Sequence, residues 1–388
     1  GIAGLAAATA LREHRVVVLE SSRMNQEVGA AIGLGPNATK IAINRWGLKE
    51  DNLQGINARW YKEIDHRGNV QLDAPIDANR AFGAPWLLSH RVDLHNELKR
   101  LATTLDGPGL PATIQTAAKD CEQGIVTLED GETVTGDVVI GSDGIHSATR
   151  TFILGHEVTP RRTGYSAYRC MIPAAQVRRD AGLAWLVDPS SPGLATFVGH
   201  DRRVISYMCR RNELLNIVAV VPDDAFESVS SHAWNAPGSV QELVEAFSSF
   251  SDDLKRLLGL ASECVLWQLR DQDPLPTWTR GKAIIIGDAA HAMLPHQGQG
   301  GGQTVEDAEA LGALLKGVTD ASRVPKLLAQ VQSVRYQRAT DIQQYSRQKA
   351  LGGRQGETFT LNAQEFVGYN FGYNGAVEWA ERSGIVLS

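Results

Sequence analysis

Three short apolar runs constrain this chain more than any other feature, because each delivers a glycine or an acid into a turn beside a helix. The first is Arg15-Val16-Val17-Val18-Leu19-Glu20, which follows Gly1-x-x-Gly4 and the helix formers Leu5 to Leu11. The second, Asp137-Val138-Val139-Ile140-Gly141, runs into Ser142-Asp143-Gly144. The third is Ala283-Ile284-Ile285-Ile286-Gly287-Asp288, followed by His291, Pro295 and Gly298-Gln299-Gly300-Gly301-Gly302. Runs that are apolar on both faces suit strands of a parallel sheet covered by helices. An α/β protein is therefore expected.

Between the second and third runs the pattern changes. Ala195 to Val198, Val204 to Met208 and Leu215 to Val220 read as closely spaced strands of an antiparallel sheet, the base of a separate lobe. Ile125 to Glu129 and Glu132 to Val134 flank Asp130-Gly131, a hairpin signal. Val240, Leu243, Val244, Phe247, Leu254, Leu257 and Leu258 form a helical stripe. Val305, Ala308, Leu311 and Leu315 form another, on a helix expected to start near Gln303, and the tail from Arg323 is polar and helical.

Length and charge narrow the class. A chain of 388 residues allows two to three domains. A net charge of −6 argues against nucleic acid and against an anionic membrane surface. Cys121, Cys170, Cys209 and Cys264 are far apart and lack a CxxC, so neither a disulfide framework nor a metal site is expected, and a reducing, cytoplasmic compartment fits. No apolar run is long enough to span a membrane. The sequence opens on Gly1, and no strand precedes Gly1-x-x-Gly4, so residues are expected to be missing before it.

The glycines and acids suggest one kind of chemistry. Glycines at a helix start let the backbone approach a pyrophosphate, and an acid ending the next strand accepts hydrogen bonds from ribose hydroxyls. Gly1, Gly4 and Glu20 have those positions, although only the last two glycines of a full G-x-G-x-x-G are present. Asp143-Gly144 could equally be a helix cap at a strand–helix junction. The glycines from 298 to 302 present amides and a helix N-terminus to an anion.

Together, and in this order, these motifs resemble the family of single-component FAD-dependent aromatic hydroxylases, most closely salicylate-hydroxylase-like enzymes. Glu27-Val28-Gly29-Ala30 with Leu34 to Ala38, His90-Arg91-Val92-Asp93-Leu94-His95, Asp271 to Trp278 and Glu306-Asp307-Ala308 also match, so the resemblance covers nearly the whole chain. The loop before Arg15 is about two residues short by family spacing, and His296 stands where many relatives carry tyrosine.

The resemblance implies a Rossmann-like FAD-binding domain at 1–60, 80–160 and 271–322, an inserted, mainly antiparallel substrate lobe at 61–79 and 161–270, and a helical C-terminal segment at 323–388. It implies FAD held by Gly1, Gly4, Glu20, Val28, Gly29, Arg91, Asp143, Gly144, Asp288, Pro295, Gly298, Gln299, Gly300 and Gly301. NAD(P)H would reduce the flavin, and dioxygen would form a C4a-hydroperoxide that attacks an electron-rich aromatic carbon. No metal is implied, and the protein would be a monomer or homodimer.

Arg169, Tyr207 and His296 are the substrate-side candidates. Arg169 could anchor a phenolate or carboxylate, or form a surface ion pair. Tyr207 could face substrate or only pack in its sheet. His296 could act as a base near neutral pH, or bond to the backbone. His291 reads as a structural loop residue, and Ile284 to Ile286 as core. The alternatives to hydroxylation are epoxidation of an indole or alkene in secondary metabolism and a non-catalytic flavin-fold binding protein. The flavin-halogenase signature W-x-W-x-I-P is absent, and neither Trp185 nor Trp278 supplies it.

Overall fold

The computed structural model describes residues 1–20, 30–104, 113–115, 118–122, 124–128, 131–223, 235–350 and 363–387. Val28 and Gly29 lie outside them.

The first apolar run forms strand Val17–Leu19, paired in parallel with Thr113–Gln115. The second and third form Val139–Gly141 and Ala283–Ile285, also parallel to each other. The third strand is shorter than expected. Gly287 takes φ 59° and ψ −141°, open only to glycine, and turns the chain into the short helix Asp288–His291. Helix α1 (Ile2–Ala10) packs between helix α2 (Gly300–Leu315) and helix Arg91–Thr103. It is buried on nearly every side, which its alanines permit, and a Cβ on Gly312 of α2 would lie 2.8 Å from the Ala10 carbonyl oxygen. The hairpin is present, with Ile125–Leu128 antiparallel to Thr133–Thr135.

The second lobe is an eight-stranded sheet. Its strands are β1 (Trp60–Asp65), β2 (Val70–Pro75), β3 (Arg161–Pro173), β4 (Leu194–Val198), β5 (Arg203–Cys209), β6 (Leu214–Pro222), β7 (Asn235–Gly238) and β8 (Cys264–Asp271). Their spatial order is β7-β8-β3-β6-β5-β4-β1-β2, antiparallel except between β4 and β1. One face buries Tyr168, Ile172, Met208 and Ile217 against Leu243, Phe247, Leu254 and Leu257.

The stripe from Val240 to Leu258 belongs to two helices, Val240–Ala246 and Asp252–Gly259. Ser251 accepts a hydrogen bond from the Leu254 amide and starts the second one, so the apolar spacing runs on through a break. Helix α2 begins at Gly300, three residues before the expected Gln303, because Gly298 takes φ +60° and Gln299 becomes the cap. Helix α3 (Val324–Ala350) lies along α2, and α4 (Ala363–Phe371) follows it.

Among the described residues no helix is long and apolar enough to cross a membrane, and no cluster of His, Cys, Asp and Glu could hold a metal ion. Cys170, Cys209 and Cys264 are buried free thiols.

Candidate active site

The two parts of the fold enclose a cavity of about 2220 Å³. A small-molecule pocket is typically roughly 300–1,000 Å³, so this one has room for a cofactor and a substrate. One wall is the remaining face of the large sheet. Register aligns Arg169, Val218, Ile205, Thr196 and Glu63 in one row across five strands. Tyr207, Leu194 and Tyr61 form the adjacent row on one side, and Val220, Arg203 and Val198 the row on the other. All of these side chains line the cavity.

Arg169 is not a surface ion pair. It makes no salt bridge among the described residues, its guanidinium lies 5.2 Å from the Trp267 ring centroid, and its buried Nε has no hydrogen-bond partner. Burial weakens its hold on its proton, and Tyr207 offsets part of that. A guanidinium stays charged in proteins, so this cation lacks an anion.

Tyr207 is 9% exposed. Burial raises its pKa and outweighs the pull of Arg169, so it remains a neutral hydrogen-bond donor. It packs in the sheet and also faces the cavity.

His296 lies in the single turn Pro295–Gln297, and neither ring nitrogen has a hydrogen-bond partner. The backbone-bonded alternative therefore does not hold. Burial, then the positive charge of Arg203, pushes its pKa down to about 3. The expectation of a base near neutral pH is thus revised. In the free protein the imidazole is neutral and reluctant to take a full proton.

Sequence reasoning missed Arg203. It sits four residues before Tyr207 on β5, so the two-residue period of a strand places both on one face, and that signal was available. Burial lowers its pKa, while Tyr165, Tyr61 and Glu63 favour its charged form.

The opposite wall carries the expected cofactor positions. Gly1, Gly4, Glu20, Arg91, Asp143, Gly144, Asp288, Pro295, Gly298, Gly300 and Gly301 all line the cavity. The Gln299 side chain does not, because it is buried and accepts a hydrogen bond from Asn37 Nδ2 at 3.1 Å. Asp143 accepts from Ser147 Oγ at 2.5 Å, from the Thr149 amide at 3.0 Å and from Thr149 Oγ1 at 3.1 Å. The cap of helix Ala148–Leu154 is not Asp143 but Ser147, whose Oγ accepts from the Arg150 amide; Asp143 braces that cap from the preceding turn.

A buried charge network lies behind the glycine turn. Arg335 of α3 donates to Glu306 and Asp307 of α2, and Arg338 donates to Glu306 through two nitrogens. All four side chains are 0–1% exposed. Burial pushes both carboxyls up, but Arg338 and Arg335 outweigh it at Glu306, and His291 and Arg335 at Asp307, so both stay low. His291 is structural, but it ends a short helix rather than sitting in a loop. Its Nε2 is 2.6 Å from Asp307 Oδ2, and the same oxygen accepts from the Gly287 amide. The network therefore ties the turn after Ala283–Ile285 to the N-terminal half of α2. Glu306-Asp307 and the i,i+3 pair Arg335 and Arg338 were its visible signal.

A flavin dinucleotide fits this wall on three observations. The space where a Cβ would stand on Gly1, Gly298 or Gly300 is empty, which lets backbone meet a ligand. The N-terminal turn of α2 borders the cavity and suits negative charge. The Asp288 carboxylate borders the cavity and has no hydrogen bond or ion pair among the described residues.

The FAD binding domain family matches residues 112–346, more than half of the chain, and the chain belongs to that family. It is 34% identical over 357 residues to hispidin-3-hydroxylase of Neonothopanus nambi, covering 87% of this chain and 84% of that protein. It is also 34% identical over 356 residues to the FAD-dependent monooxygenase cfoG of Aspergillus candidus, covering 88% and 82%. The fold superposes on a salicylate hydroxylase substrate complex with TM-score 0.74 and 28% identity, covering 99% of this chain and 93% of that one. The protein is an FAD-dependent monooxygenase with the fold of the aromatic hydroxylases.

Proposed function

We propose that the protein uses NAD(P)H and dioxygen to hydroxylate a phenolic or carboxylated aromatic small molecule held between the sheet and the flavin. The observation that carries this reading is Arg169, a half-buried cation with no anion among the described residues, on the sheet face that also presents Tyr207 and Arg203, with His296 lining the same cavity from the turn Pro295–Gln297. FAD bound along the glycine wall supplies the redox chemistry and activates oxygen.

The residues of the chain do the rest. Arg169 anchors the anionic group of the substrate by charge-assisted bonds. Tyr207 donates a hydrogen bond from a phenol that burial keeps neutral. His296, also neutral, accepts one from a substrate hydroxyl and polarises it without taking the proton outright. The sheet excludes water with Leu194, Ile205, Val218 and Val220. Gly298, Gly300 and Gly301 border the cavity, and their amides would hold the flavin and favour negative charge on it. In this reading segments 1–60, 80–160 and 271–322 hold the cofactor, and 61–79 with 161–270 hold the substrate. Epoxidation of an indole or alkene would leave Arg169 unmatched, so hydroxylation is preferred.

The test is NAD(P)H consumption by the holoprotein against a panel of aromatic acids, phenols and indoles, with product masses. Stimulated consumption and gain of one oxygen by a phenol or aromatic acid is expected. Turnover of indoles or alkenes alone, or peroxide with no oxygenated product, contradicts the reading.

A further inference from the structure

Three consecutive residues in the turn between β5 and β6, Arg210, Arg211 and Asn212, take φ values of +48°, +52° and +67°. This left-handed region crowds the Cβ of any residue but glycine, so contacts outside the turn must hold such a run in place. Arg210 donates to both oxygens of Asp93, from Nε to Oδ2 at 3.0 Å and from Nη2 to Oδ1 at 3.1 Å, and the Asp93 side chain is 7% exposed. The Arg211 amide donates to the Gln54 carbonyl at 3.1 Å, and its guanidinium to the Asp51 carbonyl at 3.2 Å. The turn thus leaves its own sheet and docks on helices Glu50–Leu53 and Arg91–Thr103.

A second contact comes from β6. Register places Asn216 opposite Tyr207 of β5. Asn216 is buried, and its Oδ1 accepts from the Ala31 amide at 3.3 Å. Ala31 starts strand Ala31–Leu34 and pairs with His90, and the Arg91 amide donates to the Ala30 carbonyl at 2.9 Å. The β5–β6 hairpin therefore grips one short stretch of backbone twice, through Ala31 and through Asp93, and Arg91 lies between the two grips. Arg91 lines the cavity with Ala30 and Ala31, whereas Arg210 and Asn216 do not. Burial first, and Arg91 after it, disfavour the charged form of Arg169, so the Arg91 charge also reaches the substrate wall.

We propose that Arg210 and Asn216 are positioning residues that fix where Arg91 meets bound FAD, and that the strained turn locks this position to the Tyr207 strand. A bidentate guanidinium–carboxylate pair sets direction as well as distance, which is what a segment entering a cofactor site requires. Neither residue touches the cofactor, and both act through Arg91. The inference rests on the reading of Arg91 as a residue that holds FAD.

The test is a double-mutant cycle on the FAD dissociation constant, measured by equilibrium dialysis of the holoprotein. Arg91→Met is expected to raise that constant at least about tenfold, through loss of a charge-assisted bond. Arg210→Met is expected to raise it about fivefold. The double variant Arg91→Met/Arg210→Met is expected to rise no more than about twofold beyond Arg91→Met alone, because the position of an absent side chain no longer matters. Asn216→Ala is expected to follow the same pattern and carries the cycle if Arg210→Met does not fold. A merely structural contact would instead add its loss in full to that of Arg91→Met. Full additivity in either cycle, or no change in Arg210→Met or in Asn216→Ala, overturns this inference alone. An unchanged dissociation constant in Arg91→Met overturns the placing of Arg91 at FAD, and the inference with it.

Discussion

The two walls of the cavity are built in different ways. The cofactor wall is backbone, with glycine turns, a helix N-terminus and strand ends, braced from behind by a buried charge network. The substrate wall is side chains that project from five strands of one sheet. A backbone wall depends on local conformation and on what holds the segments in place. A side-chain wall depends on register and tolerates substitution as long as the strands still pair. Damage to the first should therefore cost folding and cofactor, and damage to the second should cost substrate alone.

The largest effect is expected at the network. Arg338→Met leaves Glu306 with less compensation at a fully buried site, and removing one partner of a buried pair typically costs about 3–5 kcal/mol. Urea unfolding should show that loss, and FAD should dissociate more readily. A variant as stable as the parent would show that the network does not brace the cofactor wall.

Gly287→Ala comes next. The site has φ +59°, and a Cβ there would stand 3.1 Å from Thr304 Oγ1 and 3.2 Å from the Ala3 Cβ. The strain is expected to cost about 1–3 kcal/mol, read as a lower melting temperature and weaker FAD binding.

Arg169→Met sharpens the comparison from the other wall. Loss of a charge-assisted bond to an anionic substrate is expected to lower kcat/KM by about 2 kcal/mol, roughly thirtyfold. FAD affinity should not change. If it falls as far as in Arg338→Met, the division between the walls is wrong.

The smallest effect is a pH dependence. His296 is depressed from an ordinary 6.5 to about 3, so the unfolded chain binds the proton more readily than the folded one. Its contribution to stability is complete above pH 6.5 and declines as pH falls toward 3. As pH falls across that window, the melting temperature of the parent should drop relative to that of His296→Gln. Parallel curves would mean that the imidazole is not depressed.

The same division governs what could be read from the sequence. The cofactor wall was legible because turns need particular residues. Glycines at 1, 4, 144, 298, 300 and 301, and acids at 20, 143 and 288, mark strand ends whichever way the rest of the chain packs. The substrate wall was only half legible. Tyr207 was picked out on β5, but Arg203, of the same parity, was not, since alternation alone does not say which face meets the cavity. The row from Arg169 to Glu63 joins residues more than a hundred positions apart, and only strand order reveals it. The network between α2 and α3 stayed hidden because a Glu-Asp pair and two arginines usually read as a solvated face. The break at Ser251 stayed hidden because apolar spacing continues across it.

The central claim is that the Arg169 face of the sheet holds the anionic end of the substrate opposite bound FAD. Titration of the holoenzyme with a carboxylated phenol, followed through flavin absorbance, tests it most directly. The account predicts saturable binding in the parent and a dissociation constant roughly thirtyfold higher in Arg169→Met, with the flavin spectrum itself unchanged. Equal dissociation constants in the two proteins would contradict it.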